Sequence, residues 1–368
     1  MKKRAPKVIV AISGGVDSSV AAALLKRAGV EVIGVFMRLH DLPSFKEAEK
    51  RAKKIAKILG IPFLSLDLRK EFKKRIIDWF LKEYKSGVTP NPCVVCNKEI
   101  KFGLLLEKAL KLGADYVATG HYARLRREIL SPKSEILNYR YKLLKAKDKN
   151  KDQSYFLWML NQNQLKHILF PVGDYTRKEV EKLARKFKSP FTNVKKSMEI
   201  CFIPKTINDF FRRYLKPKPG IIVTKDGKKI GEHEGLPFYT IGQRKGMGLS
   251  GGPYWVLDKK LTRNVLVITK KERDLYKKEL VAKNVNWVSG KEPKLPLKIK
   301  AKIRYRVIPA IAIISREQKT KTYKLTFGKS QRAVTPGQSV VFYSPSQILP
   351  GKIWEGKGQE LLGGGIIC

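Results

Sequence analysis

The first 120 positions alternate between two hydrophobic rhythms. Residues 7–12 (KVIVAI) are an unbroken apolar run, SGGVDSS follows, and VAAALLKRAG then spaces its apolar residues at helical intervals until Gly29. That order reads strand, loop, helix. It repeats with a strand at EVIGVFM (31–37), a helix over 46–59 and a strand at IPFLSLDL (61–68). Residues 70–85 and 98–112 read as helices on either side of a TPNPCVVCN loop, and ADYVATGHYA (114–123) begins as a strand and ends as a loop. Buried strands alternating with helices predict an α/β unit: a parallel sheet with helices on both faces. The ligand crevice of such a sheet lies beyond the carboxyl ends of its strands, so the loops at 13, 37, 91 and 120 are expected to meet there.

The rhythm changes after about residue 205. Gly and Pro punctuate GLPFYTIGQRKGMGLSGGPYWV (235–256), and from about 280 the segments KIKAKIRYRVI, AIAIIS, KTYKLTF and QSVVFYS alternate polar with apolar residues between turns. A small central domain and a C-terminal antiparallel β-barrel are expected. The divisions fall at 1–205 (catalytic), 206–279 (central) and 280–368 (barrel). No apolar run approaches the ~18 residues that a membrane-crossing helix needs. The start MKKRAPKVIVAISGG shows no cleavable signal pattern, so a cytoplasmic protein with no membrane partner is expected.

Charge narrows the partner. Lys and Arg number 77 against 32 Asp and Glu, a net charge of +45 spread along the chain. Such an excess favours a polyphosphate partner such as nucleic acid, through counterion release and electrostatic steering. A merely solvated Lys-rich surface would have the same composition, so charge alone identifies no site.

The loop Ser13-Gly14-Gly15-Val16-Asp17-Ser18-Ser19 carries the first chemistry. Between a strand and a helix its glycines bring backbone N–H groups close to phosphate, and its serines add donors without bulk. It has neither the Lys of a Walker A loop nor the G-x-G-x-x-G pattern. Asp17 beside phosphates suits a Mg²⁺ ion, which takes oxygen ligands and keeps its waters.

The cysteines carry the second. Cys93 and Cys96 lie in Thr89-Pro90-Asn91-Pro92-Cys93-Val94-Val95-Cys96-Asn97-Lys98-Glu99-Ile100-Lys101-Phe102, next to a helix start and close to Lys98 and Lys101. That setting predicts thiols of lowered pKa. Half a zinc site, a redox pair and a chance spacing also fit one CxxC, although no second pair supplies the remaining zinc ligands. Cys201, in Ser197-Met198-Glu199-Ile200-Cys201-Phe202-Ile203-Pro204, reads on its own as a buried core cysteine, and Cys368 as a frayed exposed thiol.

Taken together, SGGVDSS, VFM, TPNPCxxCNxxIKF, ATGHYAR, KDQSYFLW, CFIP, YTIGQRKG, RYR, TPGQSVVFY and LGGGII run nearly end to end and resemble the tRNA-specific 2-thiouridylase (MnmA/TrmU) family. The loop alone resembles the pyrophosphate-loop signature of the wider ATP pyrophosphatase superfamily, with its adenine nucleotide alpha hydrolase-like domain. The resemblance implies a tRNA-uridine 2-sulfurtransferase that uses ATP and Mg²⁺ to thiolate uridine 34 of tRNA. It implies ATP contacts at Ala11, Ile12, Ser13, Gly14, Gly15, Val16, Asp17, Ser18, Met37 and Gly120. Asn91, Pro92 and Cys93 would meet the target base. Cys96 would be the nucleophile and Cys201 the persulfide carrier, the two closing as a disulfide during turnover. His121, Lys151, Asp152, Gln153, Arg304, Tyr305 and Gln338 would touch tRNA: Lys and Arg at phosphates, Gln and Asp at base or sugar edges, Tyr305 as a stacking face. A cysteine desulfurase, a sulfur-relay protein or free sulfide would supply sulfur.

One departure matters. Where many members of the family carry Asp, this chain has Cys93. The acid/base role of that position is therefore in doubt, and a second scheme opens in which Cys93, Cys96 and Cys201 hold a 4Fe-4S cluster that binds sulfide. Two rival readings remain: an ATP-dependent ligase on the same fold, which needs neither Cys96 nor Cys201, and a basic RNA-binding protein with a degenerate nucleotide loop.

Overall fold

The computed structural model describes residues 4–129, 139–187, 200–345 and 359–368; Ser197, Met198 and Glu199 of the segment before Cys201 lie outside the described residues. The N-terminal sheet is parallel and five-stranded. Its strands are β1 Lys7–Ala11, β2 Glu31–Arg38, β3 Phe63–Asp67, β4 Tyr116–Thr119 and β7 Ile168–Leu169. They lie in the order β3-β2-β1-β4-β7. Central β1 pairs on both sides, Val8 with Val32 and with Tyr116. Both of its faces are buried, which is why its sequence is an apolar run without alternation. On one face Val8, Val10 and Phe36 pack with Ala48, Ala52 and Ile55 of helix α2 (Pro43–Leu59) and Ala22 of helix α1 (Val16–Arg27). On the other, Ile9, Ala11, Val35 and Val117 pack with Leu105, Leu106 and Ala109. Helix α2 starts at Pro43 rather than at the expected 46, because proline suits the first helical turn.

Two helical runs flank the reactive segment. One covers 69–85 with π-helical turns at Lys73–Asp78, and the other covers 92–111 with π-helical turns at Asn97–Leu104. The second corrects the expected loop: the helix begins at Pro92, so Cys93 and Cys96 are helical. Asn91 caps it by accepting from Cys93 N–H at 3.2 Å, and Pro92 at the first position needs no partner for an N–H it lacks.

The central domain joins helix Ile207–Tyr214 to a four-stranded sheet. Its strands are β8 Gly220–Thr224, β9 Lys229–His233, β10 Trp255–Lys260 and β11 Val265–Thr269. The C-terminal barrel is β12 Tyr276–Trp287, β13 Leu297–Lys302, β14 Ala310–Arg316, β15 Tyr323–Arg332, β16 Ser339–Tyr343 and β17 Glu360–Ile367. It closes where β12 pairs with β17. Inward residues Leu280, Ile299, Ala312, Ile314, Leu325, Phe327, Val340 and Phe342 fill it. Cys368 is exposed, but its N–H donates to Val281 O at 2.9 Å, so it is tied to the barrel wall rather than frayed.

A hairpin that the sequence pattern does not announce links the two ends. Strands β5 (Ala123–Ile129) and β6 (Tyr139–Lys145) leave the N-terminal unit, and β6 pairs with β17 through Leu144 with Glu360 and Leu143 with Leu361. ARLRREI of β5 is charged, and the second partner of β6, β17, stands more than two hundred residues away, so no local signal marks the hairpin.

Candidate functional site: a phosphate loop beside three thiols

At the carboxyl end of β1 the chain turns through Ser13, Gly14 and Gly15 into α1. Ser18 Oγ organises the turn: it accepts from Ser13 N–H, lies 3.1 Å from Ser13 Oγ and donates to Gly15 O. Gly14 has φ +74°, and a Cβ there would sit 2.3 Å from the Ala48 carbonyl, so geometry and space both demand glycine. Gly120, just past β4, abuts the start of α1 so closely that a Cβ would fall 2.6 Å from Ser18 N. The expected meeting of the loops at 13 and 120 is therefore realised at a helix N-terminus, where unpaired N–H groups favour an anion.

Asp17 is already engaged. Its Oδ1 accepts from the Tyr122 hydroxyl at 2.7 Å and from the Arg177 guanidinium at 2.5 Å, and Arg177 also pairs with Glu181. Burial, then the Asp17 charge, push the Tyr122 phenol pKa up, whereas the carboxylates raise that of Arg177 against the cost of its burial. Arg177 and Tyr122 are the residues that sequence reasoning misses. The Thr176/Glu179 capping box that opens Arg177–Lys186 is legible in the sequence, but nothing local aims the Arg177 side chain at a loop 160 positions away. Asp17 remains chemically suited to Mg²⁺, since its carboxylate is about one-third exposed and a carboxylate has more acceptor positions than two donors fill.

The thiols lie on the other side of the strand ends. Cys96 is buried in an apolar cluster with Leu39, Phe72, Ile100, Phe202 and Ile203, and Met37 at the end of β2 and Ile200 pack against the same cluster. The Phe202 ring meets those of Phe72 (5.7 Å) and Phe80 (5.5 Å) edge-on. This anchoring leaves Cys201 exposed, not buried as its local sequence suggests. All four cysteines are free thiols.

The predicted lowering of the thiol pKa values does not occur in this state. Burial raises the Cys96 thiol to about 11 and pushes Cys93 up as well. The Cys201 thiol is also pushed up, first by the protein atoms crowding it and then by Cys96 and Cys93. Lys101 pulls all three down, the expected direction, but desolvation outweighs it. The three thiols thus share one electrostatic neighbourhood with Lys101. Among the described residues, however, no three of His, Cys, Asp and Glu stand together as metal ligands.

The residues expected at tRNA have internal partners. His121 is buried, its Nδ1 lies 2.6 Å from Thr119 Oγ1, and desolvation holds its pKa well below the ordinary histidine value. Asp152 accepts from Ala146 N–H and from both the N–H and the hydroxyl of Ser154. Gln153 Oε1 accepts from Tyr122 N–H, and Lys151 is half-buried, its N–H turned to Asp148. Arg304 donates to Ile241 O, Ala333 O and Thr335 Oγ1. Tyr305 packs on Phe156 at 4.4 Å with Lys302 Nζ 5.3 Å over its ring. Gln338 Nε2 donates to Thr89 O at 2.8 Å. Near this face Lys145 lies over the Tyr343 ring, and burial lowers its ammonium to about 8.

Fold and site define a nucleotide-binding enzyme of HUP architecture with two small β domains attached. The family described as tRNA methyl transferase HUP domain matches residues 6–205, its PRC-barrel companion 208–270, and the aminomethyltransferase β-barrel domain 277–367. Relatives include tRNA-specific 2-thiouridylase MnmA 2 of Thermoanaerobacter sp. (strain X514), 45% identical over 95% of this chain and 98% of that protein. Another is tRNA-specific 2-thiouridylase MnmA of Clostridium kluyveri, 44% identical over 99% of each chain. The chain belongs to the tRNA-specific 2-thiouridylase family. A solved 4-thiouridine synthetase–RNA complex with bound ATP is a slighter likeness, 17% identical over 54% of this chain and 45% of that one, with a TM-score of 0.35. No helix among the described residues is long and apolar enough to cross a membrane.

Proposed function

We propose that the protein thiolates the 2-position of the wobble uridine of tRNA in two steps, and that ATP activates the oxygen that sulfur replaces. The observation that carries this reading is the position of a phosphate loop and three thiols around the ends of one sheet, with Met37 of the nucleotide side and Cys96 in a single cluster. Neither rival reading accounts for three thiols grouped beside an intact loop. The match of nearly the whole chain to relatives named 2-thiouridylases supports the substrate.

In the first step the uridine 2-oxygen attacks the α-phosphorus of ATP, an O–P bond forms, and pyrophosphate leaves. Backbone N–H groups at the α1 N-terminus stabilise the departing charge, and Arg177 stands ready to add its own. Mg²⁺, when held beside Asp17, would supply further charge neutralisation. In the second step the terminal sulfur of a Cys201 persulfide attacks the uridine C2. The Cys96 thiolate then attacks the inner Cys201 sulfur: the Cys96–Cys201 disulfide forms, the persulfide S–S bond breaks with its electron pair going to the transferred sulfur, and AMP leaves C2. A sulfur donor, either a desulfurase or a relay protein, reloads Cys201 after a dithiol reductant opens the disulfide. The exposure of Cys201 suits reloading by a protein, and the burial of Cys96 suits a thiol shielded from solvent until base and persulfide are in place. This scheme routes no step through an iron–sulfur cluster; in the alternative scheme Cys93, Cys96 and Cys201 would hold the cluster, and it would supply a bound sulfide. Asn91, Pro92 and Cys93, at the mouth of the helix, would meet the base, which must leave its stack to enter.

The catalytic, central tRNA-contacting and barrel tRNA-binding roles of residues 1–205, 206–279 and 280–368 are part of the same proposal. The test is to incubate protein, ATP, Mg²⁺, unmodified tRNA and a persulfide donor and to identify the nucleosides by mass spectrometry. Formation of 2-thiouridine with one AMP per sulfur is expected. Its absence under both persulfide and free sulfide refutes the reading.

A further inference from the structure

Thr89 stands immediately before the rigid Pro90-Asn91-Pro92 entry to the helix that carries Cys93 and Cys96, and the barrel holds it from two directions. Its N–H donates to Pro336 O at 2.9 Å, and its carbonyl accepts from Gln338 Nε2 at 2.8 Å. Between these two residues Gly337, at φ +88°, brings its backbone so near that a Cβ would lie 2.8 Å from the Val88 Cβ and 2.9 Å from Thr89 N. Residue 89 is buried. The contact has the pairing of a short strand junction, yet it joins positions about 250 apart in sequence.

The barrel loop that grips Thr89 is itself gripped. The half-buried Arg304 guanidinium donates to Ala333 O and Thr335 Oγ1 within that loop and to Ile241 O of the central domain. Gly337 N–H donates to Ile367 O and Ile367 N–H to Gln338 O, tying the loop to β17. Ser339, the next residue, accepts from Tyr155 OH at its carbonyl and from Trp158 Nε1 at its hydroxyl. Segment 333–339 therefore meets central domain, barrel and N-terminal unit at once, and it reaches the backbone that leads into the reactive helix at residues 88 and 89.

We propose that Gln338 is a positioning residue: its amide fixes Thr89, and through the Pro90-Asn91-Pro92 turn it fixes where Cys93 and Cys96 stand when tRNA is bound. The idea rests on the thiolation reading and deepens it. It differs from the expectation that Gln338 touches tRNA, because here an amide N–H is directed at a backbone carbonyl of the protein itself. The two roles separate in kinetics. Removing a tRNA-binding group weakens binding; displacing the helix entry slows turnover, since small misplacements of reacting groups cost about 10²-fold in rate.

The experiment compares wild type, Gln338→Ala, Gln338→Glu and Gln338→Lys for tRNA dissociation constant and single-turnover thiolation at saturating tRNA and ATP. Wild-type turnover in the same assay is the check on the underlying activity, so its failure is not confused with failure of this proposal. Gln338→Glu keeps the size but presents an acceptor to the Thr89 carbonyl, and Gln338→Lys restores a donor. Expected are turnover falls of about ten- to a hundred-fold in Gln338→Ala and Gln338→Glu, with tRNA affinity within about twofold and partial recovery in Gln338→Lys. Weaker tRNA binding with unchanged turnover, or no change in either, overturns the proposal. If Gln338→Ala fails to fold, as thermal melting would reveal, the comparison between Gln338→Glu and Gln338→Lys decides alone.

Discussion

The phosphate loop and the cysteine segment each stand at a helix N-terminus, the first after strand β1 and the second after the helical run that ends at Lys85, but they are built oppositely. The first is polar, partly open and shaped by hydrogen bonds within a few residues: Ser13, Gly15 and Ser18 organise one another. The second buries Cys96 among groups from several parts of the chain, Phe72, Phe80 and Phe202 among them, and its entry at Thr89 meets the barrel's Gln338. A locally built site has its function written in a short motif. A tertiary one does not, and the thiol pKa values are the instance. Their neighbours in sequence argue for lowering, and their neighbours in space impose the reverse.

Four experiments break or sharpen that contrast. The largest effect is expected from Cys96→Ser and Cys201→Ser, each lowering thiolation by at least ~10³-fold by removing a group with no substitute. Adenylylation, followed as tRNA-dependent pyrophosphate release, should survive both, because the loop operates independently; its loss would show the two regions to be one unit. Next, Arg177→Ala should weaken the ATP step by roughly 10–100-fold and leave a preloaded Cys201 persulfide stable, consistent with the loss of one charged group near phosphate. An unchanged pyrophosphate release rate would remove Arg177 from the mechanism.

Third, alkylation of Cys96 by a neutral reagent should accelerate about tenfold per pH unit above neutrality and level off only near pH 11, where its thiol titrates. The same shift has a stability consequence. The unfolded chain gives up this proton near 9, before the folded one does, so the folded state loses stability as pH rises from 9 towards about 11. A plateau near pH 9 would show the thiol to be exposed after all. The smallest effect is expected at Asn91→Ala, which removes the helix cap and should lower the unfolding free energy by ~1 kcal/mol in chemical denaturation. Cooperative unfolding at an unchanged midpoint would show the capping bond to be dispensable.

Much of the fold is legible in the sequence because strands buried on two faces and helices with one apolar stripe leave distinct spacing. β1, α1 and β2 stand close to where the run KVIVAI, the helix after SGGVDSS and EVIGVFM place them. The helix that begins at Pro92 is masked because TPNPC resembles a turn, although Asn before Pro is equally a cap followed by a first helical residue. Within the site, the loop serines and Gly14 are readable from local geometry. The partners of Asp17 are not, since Tyr122 and Arg177 reach it from 105 and 160 residues away. Likewise Arg304 and Gln338 carry side chains typical of RNA contacts, and only the packed structure shows those donors facing carbonyls of the protein itself.

The β5–β6 hairpin has a kinetic consequence. Lys145 near the end of β6 bonds to Gln359 across 214 residues, and β6 completes its sheet only on β17. Loop-closure entropy must be met before such contacts contribute stability, so topologies of this kind acquire their order slowly and cooperatively. The hairpin, rooted two residues beyond His121, therefore gains its partner only when the distant β17 has formed. Refolding followed at the hairpin and at the barrel should give one shared slow phase, in which the nucleotide-binding lobe and the barrel mature together.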